Sequence, residues 1–144
     1  MNRYQELKSR QQKDVNDFPM FFAFNNEQFE KGMRKLGLEP TDTGAVYRLG
    51  HTGGFYRKSD SQALKDMFDR HSNEMEQAIE EDNDEKGFIY DMFLYELANH
   101  EYCITYEAEP TLEACGLTWE DLEENPKLMS GFKLAKKDYL ASYE

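Results

Sequence analysis

The sequence predicts an α+β fold: a single domain over residues 1–144, mostly helical, with a small antiparallel β-sheet formed by a hairpin near 45–58. Three observations predict it. Apolar residues recur every three or four positions through 64–79 (Leu64, Met67, Phe68, His71, Met75, Ala78, Ile79) and again through Ile89, Met92, Phe93 and Leu97, the period of an amphipathic helix. The segments AVYRLG and GFYRKS flank HTGG, which reads as two short strands joined by a glycine-containing loop. The 144 residues show no repeat and no low-complexity linker, and a chain of that length supports one core.

The elements follow in order. Residues 2–16 have helical character, with Tyr4, Leu7 and Val15 as a thin apolar stripe. FPMFFAF (18–24) reads as a strand or extended buried segment with Pro19 near its start. Asn25 with Gln28 three residues on is an N-cap arrangement, opening a helix that buries Phe29, Met33 and Leu36 and stops at Gly37. EPTDTG (39–44) is turn composition ahead of the hairpin. Ser59 with Gln62 forms a capping-box pattern for a long helix over 61–82. The acidic DNDEKG (82–87) is expected to be a solvated helix end and turn. The most apolar helix spans 88–102, and CITY (103–106) is expected as a short strand. TLEACG is stopped by Gly116, Thr118 with Asp121 opens the next helix, and Asn125-Pro126 opens the last.

Charge is unevenly distributed. Residues 74–85 hold seven carboxylates and no base, whereas 45–58 hold Arg48, Arg57, Lys58 and His51 and no acid. A net charge of -12 disfavours direct binding to nucleic acid or anionic membrane and favours a basic protein partner. The N-terminal MNRYQELKSRQQ lacks an apolar stretch and the run FPMFFAF is too short to span a bilayer, so a cytoplasmic protein is expected. Cys103 and Cys115 have no metal-binding or redox spacing and read as small apolar residues. No cofactor is expected. The 19 phenylalanines and tyrosines, if partly exposed, would allow a dimer.

Four constellations could carry chemistry. Asp66, Asp69, Glu76 and Glu80 follow one face of the long helix, with Glu81 beside them. Carboxylates one turn apart stand roughly 5–6 Å from each other, a charge spacing comparable with a nucleic-acid backbone. Arg48, His51, Gly53, Gly54, Arg57 and Lys58 combine bases with loop amides that could hold an anion. Glu96 and His100, at i and i+4, could share a proton or a metal ion if His71 joined them. Asp82, Asp84 and Gly87 begin like a calcium loop, but Lys86 and Phe93 stand where ligands are required, so calcium is not expected. No GxSxG elbow is present, and three histidines and two plain cysteines give little material for nucleophilic catalysis.

FPMFFAFNNEQFEKGMRKLGL (18–38) and GFIYDMFLYELANHEY (87–102) resemble a family of small acidic proteins carried on conjugative elements and phages of Gram-positive gut bacteria. That family has no assigned activity, so the resemblance implies a setting and transfers no catalytic residue. The leading expectation is a non-enzymatic accessory protein that binds a basic partner through Asp66, Asp69, Glu76, Glu80 and Glu81. Its sharpest form is a DNA-mimic inhibitor of a host nucleic-acid enzyme. The alternatives are an anionic-ligand binder at the hairpin and a metal-dependent enzyme at His71, Glu96 and His100.

Overall fold

The computed structural model describes residues 1–143. It is α+β and mostly helical. In chain order come α1 (Arg3–Asp17), β1 (Met20–Phe22), α2 (Asn26–Lys35), β2 (Val46–Leu49), β3 (Gly54–Arg57), α3 (Ser61–Glu81), α4 (Phe88–Asn99), α5 (Tyr102–Thr105), α6 (Glu109–Ala114), α7 (Trp119–Glu124) and α8 (Pro126–Ala141). The chain gathers into two compact units, residues 11–73 and residues 1–10 together with the chain from Glu74 on. Both α1 and α3 contribute residues to each.

In the unit of 11–73, the hairpin forms as expected and β1 joins it, giving an antiparallel sheet of order β1-β3-β2. Phe21 and Arg48 both stand opposite Phe55, so these three share one face. On that face Phe21 and Phe55 pack with Phe29, Met33 and Leu36. The Phe21 and Phe55 rings stack at 5.3 Å, and Phe29 meets both edge-on. The other face sets Met20, Leu49 and Tyr56 against Leu64 and Met67 of α3. The sheet is thus covered by α2 on one side and α3 on the other. Gly32 lets α2 lie tight against the sheet: a Cβ there would lie 2.1 Å from the Phe21 ring.

The caps of α2 form as the sequence implies. Asn25 accepts the Gln28 N–H at 2.8 Å, and Gly37 takes φ 77° past the helix end. The expected Ser59–Gln62 box is replaced by another arrangement. A 3-10 turn over Lys58–Asp60 runs straight into α3, the Ser61 N–H donates to the Lys58 carbonyl, and the Gln62 amide reaches forward to Asp66. Phe68, expected inside, is 37% exposed.

In the unit from Glu74, α4 packs along α8, with Phe88, Ile89, Met92, Phe93 and Leu97 against Leu128, Phe132, Ala135 and Tyr139. Tyr4 and Leu7 of α1 and Leu112, Cys115 and Leu122 complete this core. A Cβ on Gly131 would lie 2.5 Å from Ile89, so glycine permits the close approach of α8.

Two expectations about this unit are corrected. Asp82 is not solvated: it is 7% exposed, and its Oδ2 accepts the Ile89 N–H at 2.8 Å while Oδ1 accepts the Asp84 N–H at 3.1 Å. It satisfies one amide at the start of α4, that of Ile89, and one in the turn before it, from outside the usual capping position. Gly87 leaves room for it, because a Cβ there would lie 2.3 Å from Asp82 Oδ1. CITY is not a strand either. Helix α4 ends at Asn99, Glu101 and Tyr106 adopt φ 53° and 55°, and the residues between them form the single turn of α5, which buries Tyr102. The Thr118–Asp121 capping box and the Asn125 cap form as the sequence implies. Among the described residues, no helix is long and apolar enough to cross a membrane.

Candidate functional site

The α3 carboxylates are best taken unit by unit. In residues 11–73, Asp66 accepts the Gln62 amide at 2.8 Å and Asp69 pairs with Lys65 at 2.6 Å. In the other unit, Glu81 accepts the Gln77 amide at 2.9 Å. Glu76 and Glu80 are exposed, and among the described residues neither enters an ion pair. The main-chain carbonyl of Glu80, not its carboxylate, accepts the Lys127 ammonium at 2.8 Å.

Glu96 and His100 do not join through their side chains. Glu96 is fully buried, and its carboxylate accepts the Tyr4 hydroxyl at 3.0 Å and the Lys8 ammonium at 3.0 and 2.9 Å. Lys8 stands 5.0 Å over the Tyr95 ring. The His100 link to Glu96 is the backbone bond that closes α4, at 3.0 Å. Burial, with the Glu96 charge adding to it, pushes the Cys115 thiol up to about 12 and raises the Tyr4 hydroxyl further. This is a structural polar cluster that ties α1 to α4.

His71 lies in the unit of 11–73, where its Nε2 and Asp14 Oδ2 are 2.9 Å apart. The hydrogen bond from His71, with help from the Arg70 guanidinium, holds the Asp14 carboxyl below the usual carboxylate range. Among the described residues, no group of three or more His, Cys, Asp or Glu side chains could hold a metal ion.

The hairpin residues divide. Arg57 turns to Asp60, with Nε 2.8 Å from Oδ2, and to the Leu36 carbonyl at 3.3 Å. Lys58 lies 4.8 Å over the Tyr47 ring. The loop amides of Thr52 and Gly54 donate to the Leu49 carbonyl and the Thr52 hydroxyl. What stays together is Arg48, His51, Gly53 and Gly54, which line a cavity of about 310 Å³ with Phe24. A second cavity, about 480 Å³, continues over Asn25, Phe29 and Val46 and shares the Phe24, Arg48 and Phe55 walls. Gly53, at φ 82°, is needed here, since a Cβ would lie 2.5 Å from the Phe24 ring. The sequence reading did not place Phe24, Phe29 and Phe55 at this site. Phe24 lies past the end of β1 and reaches the loop because the Ala23 N–H donates to the Gly53 carbonyl at 2.9 Å, a contact with no local sequence signal.

The fold and these surfaces define a mostly helical α+β protein with a three-stranded antiparallel sheet. The chain belongs to a family of unknown function, DUF7659, whose model matches residues 3–138. No curated protein and no solved structure matches it.

Proposed function

We propose that this chain is a non-enzymatic accessory protein that binds a basic surface on another protein, with Glu76 and Glu80 leading the contact. The observation that carries the reading is the contrast among the α3 carboxylates. Asp66, Asp69 and Glu81 already have partners on their own helix, whereas Glu76 and Glu80 are exposed one turn apart and among the described residues enter no ion pair. Adjacent open carboxylates on a chain of net charge -12 steer a basic partner toward them. The partner class we propose is a host nucleic-acid enzyme, whose cationic groove would accept carboxylates in place of phosphates. The setting we propose is a mobile element or phage of Gram-positive gut bacteria, supported by the resemblance carried by 18–38 and 87–102.

The test is affinity capture from a Gram-positive lysate at low and high salt, comparing the native chain with the Glu76→Lys/Glu80→Lys double variant. A basic nucleic-acid enzyme is expected on the native chain at low salt, released at high salt and absent from the variant. Equal capture by native chain and variant would remove the reading.

A further inference from the structure

We infer that the cavity walled by Phe24, Phe29 and Phe55 is a binding site for a small aromatic carboxylate, with Arg48 receiving its charge. This is a separate site from the α3 carboxylates and does not depend on them. Three observations carry it.

The first is the charge of the lining. The chain holds 29 acidic residues, yet among the described residues neither cavity has a carboxylate in its wall. Arg48 is common to both cavities, and among the described residues His51 is the one other titratable side chain in either lining. Among the described residues Arg48 enters no ion pair, and its guanidinium lies 5.8 Å over the Phe55 ring. In a strongly acidic protein, an arginine kept from every carboxylate is one whose fork is open to an outside anion.

The second is the shape and chemistry of the walls. Phe29 and Phe55 meet edge-on at 5.2 Å and form an apolar floor. Phe24, 77% exposed, stands at the wall shared by the two cavities. Volumes of about 480 and 310 Å³ are in the range that holds small organic ligands. Three phenylalanine rings thus line the cavities beside one guanidinium, and an aromatic ligand ring packs favourably against such rings.

The third decides between anions. A phosphate would call on several bases, but Arg57 is paired with Asp60 and Lys58 lies over Tyr47, while the Thr52 and Gly54 amides donate within the loop. One guanidinium remains, and its two parallel N–H groups match a planar carboxylate.

The experiment is an amide-resolved NMR titration of the full chain with indole-3-acetate as probe. Indole-3-acetamide, of the same shape without the charge, and inorganic phosphate serve as comparisons. Saturating shifts are expected at the amides of Phe24, Arg48 and Phe55. The acetamide, and indole-3-acetate on the Arg48→Met variant, should bind about tenfold more weakly, the loss of one charge-assisted contact. Phe24→Ala, a change at an exposed ring, should weaken the probe without altering the rest of the spectrum. The assignment is overturned if no saturating shift appears at these amides. It is overturned equally if the acetamide or the Arg48→Met variant binds as well, or if phosphate alone reproduces the shifts.

Discussion

Lys8 is 43% exposed, yet its ammonium rests against the Glu96 carboxylate, which water does not reach. Removing one partner of a fully buried ion pair costs about 3–5 kcal/mol, because the remaining charge is left without compensation. The exposure of Lys8 lets solvent into the gap, so Lys8→Ala is expected to cost about 2 kcal/mol in a urea denaturation series. Lys65→Ala, at a solvent-exposed i,i+4 pair, should leave the midpoint in place. Asp14 supplies a pH dependence. Its carboxyl is held below the usual range by the His71 hydrogen bond, so its contribution is fully present above the unfolded value, about 3.9, and is lost as pH falls through the folded value. Asp14→Asn should therefore flatten the fall in stability on the acid side of about pH 4. The partners of Glu96 and Asp14 were not legible locally. The Glu96–His100 spacing suggested a side-chain pair, but the groups that meet Glu96 lie 92 and 88 residues away in sequence.

Helix α2 shows how packing overrules propensity. Replacing a helix-interior glycine by alanine gains about 1 kcal/mol in an exposed helix. At Gly32 the new Cβ would lie 2.1 Å from the Phe21 ring, which is itself held between Phe29 and Phe55. Overpacking of that kind costs about 1–3 kcal/mol, so Gly32→Ala is expected to lower the thermal midpoint, and a higher midpoint would show that the ring can yield. Most element boundaries were legible because their signals are local: Asn25, Thr118 and Asn125 cap helices, and Gly37 and Gly116 end them. The missed elements depend on distant groups. Asp82 serves an amide seven residues on, and α5 exists because Glu101 and Tyr106 take left-handed backbone that sequence rarely announces outside glycine.

For the whole molecule, charge is the most consequential quantity. A net charge of -12 repels itself, so salt should stabilise the fold while weakening a contact led by Glu76 and Glu80. The two effects separate if native chain and charge-reversed variant are compared at one ionic strength. The fold class was legible from helical periodicity and the hairpin loop. The sheet order was not, because nothing local to β1 says whether it pairs with β2 or β3. The ligand cavity was half legible: Arg48 and the glycines stood out by composition, but its aromatic walls exist only through that pairing. Of the chain's two thiols, Cys115 is sealed in the core with its proton held to about pH 12, while Cys103 is half-buried at the start of α5. A thiol reagent thus meets one position closed off by the core and one half open to solvent. The protein comes with a natural attachment point for a fluorescent or spin reporter, next to the left-handed turn at Glu101.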